Sequence, residues 1–398
     1  MIRDTCRACN SIDLHTAIDF GRTPLANSFM NHPVDLNDYS LSINVCGDCY
    51  NLQLTDVVSP DEMFKDYRYV SSTATSFRKH FEDAAVDYIS RFFLDEDSLV
   101  LDIGSNDGIA LVPFQERGIR VVGVEPAKNI CDIATGKGIP TICGYFDENI
   151  LQYIDKADVV TASNVFAHID DIESVTRNVF KILKPGGCFI IEVQYLLRTL
   201  EDETFDNIYH EHVNYWSVNS IVTFFDRLGY NVFDVEEIDT HGGSIRVFVD
   251  NGNRLRKWNV SDFRVTELNA DMYSLDTYYK FYDKVMKRKT DLMDYLSNID
   301  GTVIGYGAAA KASTLMNVFG IDNNVLAMVI DDSVLKQNKY IPGTGVPIKP
   351  ASSIPDDTTH IVILAWNFAD YIIKNNEDLL DRGITFIVPG KELRFVRK

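Results

Sequence analysis

The sequence predicts an α/β chain of two doubly wound halves behind a small cysteine-bearing module, and three observations carry that prediction. Two Cys-x2-Cys pairs, Cys6/Cys9 and Cys46/Cys49, share a turn-rich opening segment unlike anything downstream. Strand-like and helix-like stretches then alternate through SLVLDIG, RVVGVEP, ADVVTASN and GGCFIIEVQ, the pattern of a parallel sheet wound by helices. The alternation resumes near the end with GTVIGYGAAAKAS, NVLAMVIDDS, THIVILAWN and ITFIVPG.

Length and charge bound the rest. At 398 residues the chain is too long for one compact core, so two or three domains are expected. Its 58 acidic and 38 basic side chains give a net charge of -20, which opposes binding to phosphate backbones and anionic lipid. Nucleic acid is therefore not an expected partner. The opening MIRDTCRACN lacks the apolar core of a secretory signal, and no run reaches the roughly 18 apolar residues of a membrane span. A cytoplasmic protein without a membrane partner is expected; the oligomeric state is not legible. Of seven cysteines, Cys131, Cys143 and Cys188 are scattered through apolar surroundings. An odd count in a reducing compartment argues for metal and core roles, not disulfides.

In chain order the reading gives a cysteine module over 1–62, a central domain over 63–255, a helical linker over 256–300 and a C-terminal domain over 301–398. The central domain opens with the loop YRYVSSTATS and an amphipathic helix with apolar positions at Phe77, Phe81, Ala84, Ala85, Tyr88, Ile89 and Phe92. After the four strands the polar, aromatic segment FDNIYHEHVNYWS breaks the rhythm, followed by a helix around SIVTFFDRLG and a hairpin-like pair, NVFDVEEIDT and GSIRVFVDN. The linker reads as one long helical stretch from about Val265 to Leu296, with apolar positions at Met272, Leu275, Tyr278, Tyr279 and Tyr282.

Each CxxC knuckle places two thiolates on one tight turn, which Gly47 assists, so the pair fills two corners of a tetrahedron. Two knuckles make a closed four-thiolate site, predicting structural zinc held by Cys6, Cys9, Cys46 and Cys49. A redox or coincidental CxxC is the bland alternative.

The strand ending at Asp102 runs into Ile103-Gly104-Ser105-Asn106-Asp107-Gly108 and then a helical pattern. Glycines let the backbone pass close to a ligand, and small polar residues leave room for the methionine part of S-adenosylmethionine (SAM). The second strand ends about twenty residues later in Glu125-Pro126, where an acid accepts both ribose hydroxyl protons. Phe146-Asp147 follows a short strand where adenine would lie, and Ser163-Asn164 ends the VVTASN strand. An NAD-binding domain competes for this half. The LDIGSNDG spelling, the acidic second-strand end and the late KILKPGGCFIIEV segment favour SAM.

Tyr209-His210-Glu211-His212-Val213-Asn214-Tyr215 concentrates proton-transfer groups. In an extended conformation Tyr209, Glu211 and Tyr215 share one face and His210 and His212 the other. Helix capping and a solvated loop are the bland reading. His168, just past VVTASN, stands where this fold faces the transferred methyl, and Tyr67 and Tyr69, with Ser71 and Ser72, lie in a loop able to close over the pocket or to latch the cysteine module.

Taken in order, the four cysteines, YRYVSSTATS, LDIGSNDG, YHEHVNYWS, GYGAAAK and LAWNF give the chain a pattern that resembles the sugar C-methyltransferases of deoxysugar and branched-sugar biosynthesis, over nearly its full length. That resemblance implies a zinc-binding N-terminal module, a central Rossmann-like class I SAM methyltransferase domain and a C-terminal Rossmann-like domain. It implies methylation of a carbon, typically C3, of a nucleotide-activated 4-keto-6-deoxy sugar through an enolate, since a 4-keto group acidifies the C3 hydrogen. It also assigns His212 as the base and Tyr209 and Glu211 as sugar-orienting or enolate-stabilising groups, with His168, Tyr67 and Tyr69 in support. In the resembling family the C-terminal domain helps hold the nucleotide-sugar, which makes Lys311 at a helix start a candidate for the diphosphate, with Tyr306 and His210 as further substrate contacts. A purely structural C-terminal domain, an NAD-dependent nucleotide-sugar dehydrogenase or epimerase, and a non-catalytic zinc scaffold that keeps a SAM fold are the competing readings.

Overall fold

The computed structural model describes residues 2–33, 36–64, 75–240 and 242–398. The opening segment is built on a sheet. Strands β1 (Leu14–Pro24), β2 (Asp38–Cys46) and β3 (Leu52–Leu54) pair antiparallel and bury Ile18, Leu41, Ile43 and Val45. Register shifts in β1 between Thr16 and Ile18 and between Asp19 and Arg22 break the two-residue alternation, which is why the segment reads as turns.

The central sheet comprises β4 (Leu99–Ile103), β5 (Arg120–Glu125), β6 (Thr141–Cys143), β7 (Ala157–Ser163) and β8 (Leu183–Gln194), all parallel. The short β9 (Asn214–Tyr215) leaves it to pair with β3 of the first sheet. The hairpin β10 (Asn231–Ile238) and β11 (Ser244–Asp250) returns along the edge, antiparallel to β8. The order β10-β11-β8-β7-β4-β5-β6 puts the reversal of winding between β4 and β7. A crevice opens at the carboxyl ends of strands at such a point.

A third sheet holds β12 (Thr302–Tyr306), β13 (Val329–Ile330), β14 (Ile348–Lys349), β15 (Thr358–Ile363), β16 (Thr385–Pro389) and β17 (Leu393–Val396) in the order β14-β13-β12-β15-β16-β17. All its pairs are parallel except β16 with β17.

The linker is two helices, Trp258–Asn269 and Leu275–Ser297, where the sequence reads as one. The break falls at Asp271, whose φ of 58° is incompatible with a continuing right-handed helix. Its second helix buries Tyr278, Phe281, Val285 and Leu292 but exposes Tyr279. Adjacent helical residues point about 100° apart and cannot both face one core.

The three sheets dock on one another. Arg7 reaches Asp170 at 2.6 Å from the first unit to the second, and Phe205 stacks on Phe319 of the third with centroids 4.9 Å apart. Arg288 of the linker is paired with Glu203 at 2.5 Å, both buried. Cys131 and Cys188 are buried as expected of core thiols; Cys143, at the end of the edge strand β6, is exposed. Among the described residues no helix is long and apolar enough to cross a membrane.

Candidate active site

The four knuckle sulfurs come together: Sγ atoms of Cys6, Cys9, Cys46 and Cys49 all lie within 4.8 Å of one another, with Cys6 to Cys49 and Cys9 to Cys46 both 3.5 Å. Tetrahedral zinc at about 2.3 Å from each thiolate needs sulfurs roughly 3.8 Å apart, so the residues fit the ion. Three of the four are buried, and all four corners are sulfur, the donor set of a structural site. Gly47 serves its knuckle by close approach, since a Cβ there would sit 1.9 Å from Asp13 Oδ2. Arg7, between two knuckle residues, sends its Nε and Nη2 to Asp170 Oδ1 at 3.1 and 2.6 Å. The metal knuckle thereby fixes the loop just beyond His168.

A cavity of about 2600 Å³ runs between the three units at the carboxyl ends of the central strands. Its central-sheet side is built by the turn after β4. Gly104 takes φ +66° and a Cβ there would lie 2.6 Å from Val165 Cγ2, so the position requires glycine on both counts. Glu125, at the end of β5, accepts from the backbone N–H of Asn106 at 3.0 Å and of Ala127 at 2.9 Å. Burial raises its pKa, and these two amides pull it back. The carboxylate is thus aimed before any ligand arrives. Gly104, Asn106, Glu125, Pro126, Phe146, Ser163 and Asn164 line the cavity.

Asp102, Ser105 and Gly108 do not line it; they shape the turn from behind. Asp102 is buried, accepts from Thr161 Oγ1 at 2.6 Å, and is pushed up to about 7 by burial, against which the Thr161 bond acts. Ser105 fills the space above Gly123, where a Cβ would meet its Oγ at 2.4 Å, and Gly108, at φ +81°, lies against Ile139.

On the opposite wall stand Tyr209, Glu211, His212 and His168. The 205–212 segment is not extended. The backbone N–H of His212 closes a turn on the Tyr209 carbonyl at 3.0 Å, which brings Tyr209, Glu211 and His212 to the cavity together and corrects the alternating arrangement read from the sequence. His210 is turned away into the first sheet, buried, with Nε2 3.2 Å from the Ser40 carbonyl and its pKa lowered by burial. It is not a wall of the cavity. Tyr215 is on the wall, its ring edge-on to His212. His212 Nδ1 lies 2.7 Å from the Asn207 carbonyl oxygen, its ring 4.4 Å from that of Tyr209 and 4.9 Å from that of His168, edge to face with the latter. Glu211 accepts from Asn27 Nδ2 at 2.6 Å. Tyr67, Tyr69, Ser71 and Ser72 lie outside the described residues.

The third unit closes the cavity with Lys311, Lys336 and Lys339. Lys311 stands in the first turn of the helix Ala310–Phe319, whose exposed amides add positive potential. Burial lowers its pKa and the Asp206 charge opposes that. Lys336 Nζ is 5.8 Å from the Phe29 ring centroid. Tyr306 does not reach the cavity; it is buried in the third unit's own core, its hydroxyl 3.4 Å from Asp332.

Sequence reasoning missed His80, Asn27, Asn207, Lys336 and Lys339. His80, on the helix Thr75–Phe92, lines the cavity and bonds Glu192 at 2.8 Å; Glu192 is buried and also holds Arg246 Nε at 2.7 Å. Glu192 thereby ties the cavity-lining His80 to Arg246. The partners stand far apart in sequence, which local motifs do not report.

The chain is similar to known proteins along nearly its whole length. A zinc binding domain family matches residues 6–64, a methyltransferase domain family residues 77–235 and a C-methyltransferase C-terminal domain family residues 239–390. C-methyltransferase NovU of Streptomyces niveus is 35% identical over 409 aligned positions, covering 99% of this chain and 97% of that protein. A ubiquinone biosynthesis O-methyltransferase of Proteus mirabilis is 30% identical over 94 residues only, covering 22% of this chain and 38% of that protein. Among solved structures, a S-adenosylmethionine-dependent methyltransferase from Clostridium acetobutylicum is 14% identical at TM-score 0.36, covering 44% of this chain and 92% of that one. The magnesium protoporphyrin IX methyltransferase of Synechocystis with bound SAH is 14% identical at the same TM-score, covering 46% and 88%. A zinc-binding module, a methyltransferase sheet and a C-terminal unit matched end to end by one relative leave a single family: the chain belongs to the SAM-dependent C-methyltransferases.

Proposed function

We propose that the chain transfers the SAM methyl group to C3 of a nucleotide-activated 4-keto-6-deoxy sugar, with His212 as the base. The observation that carries this reading is the bond from His212 to Asn207. A backbone carbonyl only accepts, so Nδ1 donates there, and in the neutral imidazole the basic nitrogen is then Nε2. Its neighbours are a phenol, Tyr209, and a carboxylate, Glu211, groups that suit a sugar and an enolate oxygen.

Bound SAM would supply an electrophilic methyl group; Glu125 would hold its ribose, with Gly104, Asn106, Phe146 and Asn164 lining the same cavity. The chain's own task is to make a nucleophilic carbon. His212 Nε2 takes the C3 proton, and the electron pair of the broken C–H bond delocalises on to the 4-keto oxygen as an enolate. Asn27 fixes Glu211 so that its carboxylate orients the sugar. Across the cavity, Lys311, Lys336 and Lys339 line the third-unit side, cationic side chains suited to a nucleotide diphosphate.

Incubation with SAM and a panel of nucleotide 4-keto sugars tests the reading by a gain of one methyl. Solvent deuterium adds a sharper probe: wild type exchanges the C3 hydrogen, and His212→Ala does not. Exchange at the wild-type rate in His212→Ala moves the base role to another group, and no methylation of any 4-keto sugar removes the substrate class.

A further inference from the structure

Two motifs of the third unit, GYGAAAK and LAWNF, meet at one side chain that the chemistry above does not use. Trp366 of LAWNF donates its indole Nε1–H to Asp206 Oδ2 at 3.0 Å, although 160 residues separate them. Lys311 of GYGAAAK supplies the largest of the influences that favour the Asp206 carboxylate against its burial. Asp206 is 1% exposed, and its Oδ1 is buried without a hydrogen-bond partner. A carboxylate in that condition is costly to bury, and a hydrophobic side chain would fill the space without that cost.

What Asp206 holds is the approach to the base. It is the middle residue of the single turn Phe205–Asn207. Phe205 stacks on Phe319 of the same third-unit helix that begins beside Lys311. The next residue, Asn207, presents the carbonyl that accepts the His212 Nδ1–H at 2.7 Å. From the indole of the third unit to the imidazole, the bonded chain is Trp366, Asp206, Asn207, His212, and the Lys311 charge acts on it through Asp206.

We propose that Asp206 is a positioning residue, which ties the lysine and indole of the C-terminal unit to the turn whose carbonyl sets the His212 tautomer. The inference rests on the reading of His212 as the base. It explains why the C-terminal unit and the YHEH segment belong to one catalytic assembly: the same carboxylate steadies the cation of the substrate side and the backbone of the base side.

Three variants separate the two duties. Asp206→Asn keeps an acceptor for Trp366 and loses the charge beside Lys311, so KM for the nucleotide-sugar should rise roughly tenfold with kcat little changed. Trp366→Phe keeps the charge and loses the indole donor, so kcat should fall roughly tenfold with KM little changed. Asp206→Ala should lose both. The readout that a merely structural role would not move is the ring-nitrogen NMR spectrum of His212 in the protein without substrate. Wild type should show Nδ1–H alone, and Trp366→Phe and Asp206→Ala should show both neutral tautomers. A wild-type tautomer with wild-type kcat in both variants overturns the proposal, as does lost activity in proportion to lost thermal stability with the tautomer unchanged. The spectrum requires no turnover, so it stands apart from the base assignment: deuterium exchange surviving in His212→Ala would remove that assignment, whatever the tautomer shows.

Discussion

His212 and Asn207 are joined by a bond of 2.7 Å whose direction chemistry decides. The carbonyl has no proton to give, so the imidazole donates from Nδ1 and, when neutral, is basic at Nε2. His212→Ala should therefore retain SAM binding and lose methyl transfer by at least roughly a hundredfold, the lower end of what a positioned base contributes. Calorimetry with SAM beside a turnover assay checks both halves, and a variant with more than a tenth of wild-type turnover contradicts the role.

Glu125 is held by the amides of Asn106 and Ala127 at 3.0 and 2.9 Å. Glu125→Ala removes the proposed acceptor for the ribose hydroxyls and the carboxylate that the two amides bond. SAM affinity should fall roughly ten- to hundredfold. Equal affinity in calorimetry would mean that the ribose is held elsewhere.

Asp102 yields a stability prediction with a definite sign. Its folded pKa, raised to about 7 by burial, exceeds the ordinary value near 3.8, so the stability it contributes is fully present below about pH 4 and is lost as pH rises through about 7. Asp102→Asn does not titrate and still accepts from Thr161. Denaturant unfolding should show the variant gaining on wild type from pH 4 to 8, by about 2 to 4 kcal/mol in all. Parallel pH profiles would show that Asp102 keeps an ordinary pKa in the fold.

Zinc should stay with the chain at one ion per molecule, and Cys46→Ser should lose it. Because Arg7 leaves the knuckle to bind Asp170, removal of the ion should also raise hydrogen exchange around 168–171, far in sequence from the four knuckle cysteines. Metal analysis with exchange mass spectrometry measures both. Full zinc content in Cys46→Ser would take that residue out of the site.

What could be read from the sequence follows the range of the interactions. LDIGSNDG and YHEH each place their groups within a few residues, so local spacing exposed them. His80 with Glu192, Asn27 with Glu211 and Trp366 with Asp206 stand 112, 184 and 160 residues apart, and only the folded sheets bring them together. The inward or outward side of each YHEH residue was legible only for an extended chain. One backbone bond, His212 to Tyr209, curls the segment and sends His210 alone into the first sheet. Gly108 and Ser105 belong to a ligand-binding spelling, yet their side of the turn serves packing against Ile139 and Gly123.

The most direct test follows the methyl carbon itself. SAM labelled with carbon-13 in its methyl group is turned over with an accepted nucleotide 4-keto-6-deoxy sugar, and the product is examined by carbon–proton correlation NMR. The label should appear as a methyl bonded to C3 of the sugar ring. A label bonded to oxygen or nitrogen, or to a ring carbon other than C3, would contradict the account.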